Sequence, residues 1–200
     1  MQIVCLDLEG VLTPEVWLAV AERTGVEELR LTTRDISDYD LLMKKRIEIL
    51  ARRGITLSQI QTVIDSVEPL DGAIDFLEFL RCRTQVVILS DTFRQFATPL
   101  MRKLRWPTLF CNDLITDAAD RVVDYRLRQS EGKKNAVRAF KSLGFQVIAS
   151  GDSYNDLGML NEADHGILFR PPEAILNEYA CYPAFYEYAE FTSFLERILE

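Results

Sequence analysis

The sequence predicts an α/β protein: a doubly wound parallel sheet of the Rossmann-like type, with a helical cap inserted after the first strand. Apolar, β-branched runs recur along the chain, at residues 3–6, 86–89 and 147–149. Such runs, separated by segments of helical spacing, are typical of strands buried on both faces of a parallel sheet. A short polar motif follows each run, and in open α/β sheets the site lies outside the carboxyl ends of the strands. The pattern therefore predicts one crevice in which these motifs meet.

The segment between the first strand and about residue 67 is predicted to be helical throughout. Helices are expected there at residues 15–24, 36–53 and 57–66. Gly25 and Gly54 are suited to the left-handed caps that end the first two helices. Thr56 and Gln59 form a capping box for the third. Because the segment contains no convincing strand, we predict a helical cap at residues 14–67 and an α/β core at residues 1–13 and 68–200.

The rest of the chain alternates between predicted helices and strands, as a doubly wound sheet requires. The expected order is helix 73–81, strand 85–89, helix 93–104, strand 108–111, helix 132–143, strand 146–149, helix 155–161 and strand 166–169. Asp71 is expected to cap the first of these helices. Residues 121–127 are predicted to form part of a small hairpin rather than of the main sheet. Pro171 and Pro172 begin a C-terminal helical region.

Charge and hydropathy exclude several classes of protein. The net charge of −8 argues against nucleic acid as the main partner, because phosphate backbones attract basic surfaces. No apolar run reaches the roughly 18 residues that a membrane span needs. The N-terminus enters the first strand at once, so we expect no signal peptide and a cytoplasmic location. A small phosphorylated substrate stays compatible, since a metal ion and a few cations reverse the field inside a cleft.

The cysteines and the single histidine exclude further kinds of site. The cysteines lack the spacing of metal or redox motifs, and we interpret them as free thiols in a reducing compartment. They are Cys5, Cys82, Cys111 and Cys181. His165 is the only histidine, which leaves no histidine-dependent triad and no multi-histidine zinc site. We interpret it as a structural residue at a strand edge.

Asp7 and Glu9 follow the first predicted strand, and a turn at Gly10 is expected to bring both carboxylates to the same pocket. One carboxylate can attack a phosphoryl group and form an aspartyl phosphate. The other can protonate the leaving alcohol and then deprotonate the hydrolytic water. Taken alone, two acids at a strand end are more often simply solvated, so this interpretation depends on the motifs that follow.

Ser90 and Lys133 supply groups that bind phosphoryl oxygens. Ser90 ends the second predicted strand, where its hydroxyl and nearby backbone N–H groups are expected to bind a phosphoryl oxygen. Lys133 lies at a predicted helix start, where its ammonium and the helix dipole offset negative charge. The alternatives are a turn or helix cap for Ser90 and an ordinary surface position for Lys133.

Asp152 and Asp156 follow the fourth predicted strand and are expected to complete a Mg²⁺ site. Mg²⁺ typically takes one or two carboxylates together with phosphate and water. We predict Asp7 and Asp152 as direct ligands together with the backbone carbonyl of Glu9. Asp156 is predicted to hold metal-bound waters or to orient Lys133. The alternative is that this segment only caps the following helix.

In this order the motifs resemble those of the haloacid dehalogenase superfamily of phosphohydrolases, and the resemblance covers the chain end to end. It implies the fold with a helical cap, Mg²⁺ and an aspartyl-phosphate intermediate. Within the superfamily the pattern is most similar to that of phosphoserine phosphatases. That similarity implies that Glu15 binds the substrate ammonium, Arg46 its carboxylate, and Asn155 the phosphate or substrate.

Two residues depart from the usual phosphoserine phosphatase pattern. Glu9 stands where most such enzymes have aspartate, and Asp91 follows Ser90 where glycine is typical. Both departures resemble the smaller branch of bifunctional phosphoserine phosphatases and homoserine phosphotransferases. The resemblance implies that homoserine accepts the phosphoryl group as well as water, with Asp91 lining the pocket beside Ser90.

Other functions stay open at this point. A receiver domain also forms an aspartyl phosphate, but it is usually shorter and has no cap. A true dehalogenase does not need the second acid, so Glu9 counts against it. Two further alternatives are a catalytically inactive relative that only binds its ligand and a phosphatase of another small metabolite. The sequence leaves the oligomeric state open, although small caps of this kind often accompany homodimers.

Overall fold

The computed structural model describes residues 1–32, 35–36 and 38–199. Within these residues the centre is a seven-stranded sheet in the order β4-β3-β2-β1-β5-β6-β7. Neighbouring strands are parallel, except that β4 is antiparallel to β3. The strands are β1 Gln2–Leu6, β2 Gln85–Phe93, β3 Thr108–Thr116, β4 Val122–Arg126, β5 Gln146–Gly151, β6 His165–Phe169 and β7 Ala184–Phe185.

Helices connect the strands and cover both faces of the sheet. The α-helices are α1 Val16–Thr24, α2 Tyr39–Arg53, α3 Leu57–Asp65, α4 Ala73–Arg81, α5 Arg94–Lys103, α6 Gly132–Ser142, α7 Leu157–Glu162, α8 Glu173–Glu178 and α9 Tyr188–Ile198. Short 3₁₀ helices occupy Glu27–Arg30 and Tyr154–Asp156. Among the described helices, none is long and apolar enough to cross a membrane.

Alternating residues of β1 are buried in different layers of the core. Val4 and Leu6 belong to one apolar cluster, which includes the inner faces of α4, α5 and α9. Ile3 and Cys5 belong to a second cluster, which is covered by α6 and α7. Because both faces are buried, the strand can be apolar throughout. The predicted doubly wound α/β fold is confirmed.

The strand order reverses at β1, and this reversal creates the crevice. β2 and β3 lie on one side of β1, whereas β5 and β6 lie on the other. The connections from β1 and β5 therefore leave in opposite directions, which opens a cleft between their carboxyl ends. The backbone N–H of Asp7 donates to the carbonyl of Ser150 at 2.9 Å and fixes the two strand ends beside each other.

The segment from residue 14 to residue 67, here called the cap, contains α1 to α3. Asp38 caps α2, with its side chain accepting from the Leu41 N–H. The predicted capping box of Thr56 and Gln59 is present at the start of α3. The helical content of the cap agrees with the prediction, whereas its status as a separate unit stays a prediction.

Several element boundaries differ from the sequence prediction. Asp71 does not cap α4: Gly72 is the N-cap residue, its φ is +86°, and no side chain caps the helix. A left-handed residue at this position needs glycine, and this displaces the expected aspartate cap. The second helix begins at Tyr39 rather than at residue 36, and position 37 of that prediction lies outside the described residues.

Other differences reflect long-range strand pairing. β2 continues beyond Leu89 to Phe93, with an irregular register against β3. Residues 121–127 do contribute a hairpin strand, β4, but it joins the edge of the main sheet through the extended end of β3. β7 is only two residues long and pairs with β6. Such a short strand has no sequence periodicity by which it could be predicted.

Candidate active site

Three carboxylates meet at the carboxyl ends of β1 and β5. Asp7, Asp152 and Asp156 each place a carboxylate oxygen within 4.8 Å of the others. Asp7 and Asp156 are buried, and Asp152 is partly buried. The structure thus brings together residues that are almost 150 positions apart in the chain. This agrees with the prediction that the polar motifs meet in one crevice at the carboxyl ends of the strands.

The geometry of this acidic cluster depends on two glycines. Gly10 has a φ of +78°, and a Cβ atom built on it would lie 2.4 Å from Cγ of Asp152. A Cβ atom on Gly151 would lie 2.2 Å from Cγ of Asp156. Both distances are far below van der Waals contact, so only glycine allows the two carboxylates to approach the backbone so closely.

Electrostatic repulsion within the cluster favours a bound cation. Burial, and next the charge of Asp156, raise the pKa of Asp7 well above its ordinary value, although Lys133 opposes this. Burial and Asp156 likewise raise the pKa of Asp152 to about 7. Oxygen ligands from several carboxylates are the donor set that hard divalent cations prefer. These residues therefore fit Mg²⁺ chemically.

Lys133 is buried at the edge of the acidic cluster, where its amine contacts two of the three carboxylates. Its Nζ atom donates to Oδ1 of Asp156 at 2.7 Å and lies 3.0 Å from Oδ1 of Asp7. Burial alone would lower the pKa of Lys133, but the charges of Asp156, Asp7 and Asp91 raise it well above its ordinary value. The surface position considered for Lys133 is wrong.

Asp156 organises the loop that follows β5. Its Oδ2 atom accepts hydrogen bonds from the backbone N–H groups of Asp152 and Ser153, both at 3.0 Å, and from the Ser153 hydroxyl. Its other oxygen accepts from Lys133. Asp156 therefore fixes both the loop that carries Asp152 and the position of the lysine.

Ser90 and Asp91 lie in the irregular end of β2. The buried Ser90 hydroxyl oxygen accepts from the Thr92 N–H at 3.2 Å. The Asp91 carbonyl accepts from the Asn112 side chain at 3.1 Å and from the Tyr39 hydroxyl at 3.2 Å. The Asp91 carboxylate is half exposed and lies 3.8 Å from Nζ of Lys133.

Glu9 faces the cap rather than the acidic cluster. Its Oε2 atom accepts from the Val16 N–H at 2.9 Å, at the first residue of α1. Burial, and next the charge of Glu15, raise the pKa of Glu9 to about 8, although hydrogen bonds from Val16 and Thr92 oppose this. Its side chain is not a member of the three-carboxylate cluster. A metal contact by Glu9 through its backbone carbonyl stays a prediction.

A cavity of about 400 Å³ lies between the core and the cap, and it is here called the main cavity. Asp7, Glu9 and Asp152 are on the core side, and Glu15 and Arg46 are on the cap side. Asn155, which is exposed, also lines it. The structure therefore brings every predicted site residue to the same region. Arg170, Pro171 and Pro172 at the end of β6 complete the rim.

Arg46 is buried in the cap, 7 % exposed, and is only partly satisfied by other groups. Its guanidinium lies over the Trp17 ring, 4.5 Å from the centroid, and donates to the Leu31 carbonyl at 2.8 Å. Its Nε atom has no hydrogen-bond partner among the described residues. A buried charged group with an unused donor is costly unless a ligand completes its hydrogen bonds.

Sequence analysis gave no role in the site to three residues that shape it. Trp17 supports Arg46, Asn112 holds the Asp91 carbonyl, and Tyr39 reaches the same carbonyl from the cap. Trp17 occurs at helical spacing on an apolar face, where an aromatic residue is normally a core residue. Asn112 is a polar residue at the end of a strand run, which was a usable signal. Nothing local distinguished Tyr39.

Comparison with known proteins found a matching family and similar curated relatives. Residues 1–164 match the haloacid dehalogenase-like hydrolase family. A phosphoserine phosphatase of Pseudomonas syringae pv. tomato is 57% identical over 190 residues, which cover 95% of this chain and 80% of the relative. The phosphoserine phosphatase ThrH of Pseudomonas aeruginosa is 56% identical over 190 residues, covering 95% of this chain and 93% of the relative.

Solved structures show the same fold at lower sequence identity. A substrate-bound phosphoserine phosphatase complex matches with a TM-score of 0.75 and 19% identity, covering 93% of both chains. A phosphoserine phosphatase from T. onnurineus matches with a TM-score of 0.73 and 23% identity, covering 96% of this chain and 93% of the other.

Proposed function

The chain belongs to the haloacid dehalogenase-like hydrolase family, and from this membership we propose that it hydrolyses phosphoserine with Mg²⁺ through an aspartyl phosphate. We propose further that it can pass the phosphoryl group to homoserine. One observation carries the proposal. The buried Asp7 lies 3.0 Å from Lys133, within the acidic cluster, in a cavity that Arg46 lines from the cap side.

Asp7 is the proposed nucleophile. Its carboxylate forms a bond to phosphorus while the bond from phosphorus to the serine oxygen breaks. The Leu8 N–H donates to Oδ1 of Asp7 at 2.7 Å, and Lys133 lies beside the same atom, so the carboxylate is held in one orientation. Ser90 and Lys133 are proposed to bind phosphoryl oxygens, which spreads the charge that develops during transfer.

Glu9 is the proposed general acid and base. It gives a proton to the departing serine oxygen and then takes one from the water that cleaves the aspartyl phosphate. Its carboxylate lies in the main cavity between the core and α1, where the Val16 N–H fixes it. Proton transfer on the cap side of the phosphoryl group fits this position.

Asp7 and Asp152 are proposed to hold Mg²⁺ together with the Glu9 carbonyl, while Asp156 acts mainly through Lys133 and the loop that carries Asp152. The bound ion would neutralise phosphoryl oxygens and hold them in place for attack. The cluster of three carboxylates supports this assignment.

Arg46 and Glu15 are proposed to select the amino-acid end of the substrate. Both line the cap side of the main cavity. The unused Nε donor of Arg46 fits a carboxylate, and Glu15 offers a negative partner for an ammonium group. Asn155 at the cavity edge is proposed to contact the phosphate or substrate. Such a pair of opposite charges distinguishes a zwitterion from an uncharged alcohol phosphate.

Transfer to homoserine follows from the same site. An acceptor that carries an ammonium and a carboxylate can occupy the position that serine has left. Glu9 and Asp91, which set the chain apart from the usual phosphatase pattern, support this second activity. The relative from Pseudomonas aeruginosa, 56% identical, is named phosphoserine phosphatase ThrH. A cytoplasmic location and a homodimer accompany this proposal as predictions.

Phosphorus NMR tests both activities in one experiment. Phosphoserine and Mg²⁺ are incubated with the protein, with and without saturating homoserine, and Asp7→Asn is the matched control. Release of phosphate in both samples and phosphohomoserine only in the second would support the proposal. Phosphate without phosphohomoserine would leave a plain phosphatase, and no Mg²⁺-dependent product at all would refute the hydrolase.

A further inference from the structure

A second cavity of about 380 Å³ lies beside the main cavity. It is here called the side cavity, and Leu127, Lys134 and Gly158 line it together with residues that the main cavity shares. Leu127 is 43% exposed, so the side cavity reaches the protein surface. The proposed chemistry assigns no role to it.

Tyr39, Asp91, Lys133 and Asn155 line both cavities. Lys133 contacts the acidic cluster, and Asn155 is exposed at the edge of the main cavity. Tyr39 and Asp91 therefore lie at the boundary between the two spaces. Tyr39 comes from the cap and Asp91 from the core, and their hydrogen bond joins the two across this boundary at 3.2 Å.

The position of Tyr39 is fixed by aromatic contacts as well. Its ring packs edge-to-face on Tyr125, with centroids 5.9 Å apart, and Tyr125 in turn packs on Phe93. Burial, and next the charge of Asp91, raise the pKa of the Tyr39 phenol, so the hydroxyl stays protonated and donates. On the core side, Asn112 holds the Asp91 carbonyl. The contact between Tyr39 and Asp91 is therefore held in place from both the cap and the core.

We propose that Tyr39 and the Asp91 backbone form a wall that limits the access of water from the side cavity to phosphorylated Asp7. The wall thereby sets the share of phosphoryl groups that reach an amino-acid hydroxyl. The inference rests on the proposed function. In either outcome an oxygen bonds to phosphorus, the bond between phosphorus and the Asp7 oxygen breaks, and the proton of the acceptor goes to Glu9. Water and amino acid then compete only through access and position.

Isotope exchange measures this competition. Phosphoserine and Mg²⁺ are incubated with labelled serine, and label entering phosphoserine is compared with phosphate released. The ratio of exchange to hydrolysis is independent of the amount of active protein and does not require homoserine. A residue that only supported the fold would change both rates together and leave this ratio constant.

Variants of Tyr39 and Tyr125 distinguish loss of the wall from a general loosening of the cap. Tyr39→Phe loses the hydrogen bond to the Asp91 carbonyl but keeps the ring, and it is expected to lower the ratio about fivefold, the factor that corresponds to the net worth of one hydrogen bond. Tyr39→Ala loses the ring as well and is expected to lower the ratio further. Tyr125→Phe is the matched control, since its hydroxyl bonds to Asp40 at 2.7 Å and makes no described contact with Asp91. Its ratio is expected to equal that of the wild type.

A substitution that fills part of the side cavity is expected to change the ratio of exchange to hydrolysis in the opposite direction. A Cβ atom on Gly158 would lie 3.5 Å from the Lys134 side chain, an ordinary contact, so a larger residue can be placed there. Gly158→Leu fills part of the side cavity and is expected to raise the ratio.

Three results would overturn the inference: an unchanged ratio in both Tyr39 variants, an equal fall in Tyr125→Phe, or no rise in a folded Gly158→Leu protein. Hydrolysis by the wild type with any of these results refutes the wall alone. No hydrolysis by the wild type refutes the proposed function, and with it the inference that rests on it.

Discussion

Replacing Gly10 with alanine is expected to disable the site at a small cost in folding stability. The new Cβ atom would lie 2.4 Å from Cγ of Asp152, about 1 Å closer than carbon atoms approach without repulsion. The carboxylate must therefore move by about that distance. A displacement of about 1 Å at a catalytic group costs on the order of 100-fold in rate. The half-saturating concentration of Mg²⁺ is expected to rise as well, because Asp152 is a proposed ligand.

The backbone cost can be separated from this displacement by a matched variant. Gly144 has a φ of +85°, similar to the +78° of Gly10, but a Cβ atom there would meet nothing within 4 Å. Alanine in the left-handed region costs about 1–2 kcal/mol, so both variants should lose that much free energy of unfolding. For a domain of this size, 1 kcal/mol corresponds to about 2–4 °C in Tm.

Phosphate release from phosphoserine, titrated with Mg²⁺, and thermal unfolding are measured for both variants. Gly144→Ala should unfold at a lower temperature but keep its kcat/KM and its Mg²⁺ dependence. Gly10→Ala should show a similar loss of Tm together with the loss of activity. If the two variants had equal kcat/KM and equal Mg²⁺ dependence, the proposed role of the close approach between Gly10 and Asp152 would be wrong.

Three further predictions concern single side chains. Asp7→Asn removes the attacking charge but keeps the shape, so phosphate release should fall by several orders of magnitude while the protein stays folded, and near-wild-type turnover would exclude Asp7 as nucleophile. Arg46→Ala should cost about 2–5 kcal/mol of phosphoserine binding but much less for an aryl phosphate; equal losses on the two would point to a structural role. Lys133→Met leaves Asp156 buried without its cationic partner, which should destabilise the fold by about 3–5 kcal/mol in chemical denaturation, and an unchanged free energy of unfolding would contradict the assigned ion pair.

Local patterns in the sequence were sufficient to predict the five strands β1, β2, β3, β5 and β6 and to expect the polar residues that follow three of them in one crevice. The strand segments at residues 3–6, 86–89 and 147–149 lie inside the sheet, so each is a continuous apolar run that stands out from its neighbours. Polar residues directly after such runs must lie at one edge of a parallel sheet. The sequence alone therefore predicts that Asp7, Ser90 and Asp152 lie in one crevice.

Features that depend on contacts between distant segments could not be predicted in this way. The capping of α4 by Gly72 instead of Asp71, and the extension of β2 to Phe93, are decided by packing and by pairing with β3. Local propensity carries no information about either, because a turn residue is compatible with several backbone conformations until tertiary contacts select one.

The sequence by itself determined which chemical groups this protein has at its strand ends, because their order along the chain and the apolar runs before them are local properties. Only the tertiary structure decided how those groups are oriented. It turned Glu9 toward α1 rather than into the acidic cluster, buried Lys133 between Asp7 and Asp156, and brought Tyr39 of the cap to the Asp91 carbonyl. Side-chain direction, burial and distance arise from packing between segments far apart in the chain, and a one-dimensional pattern does not specify them.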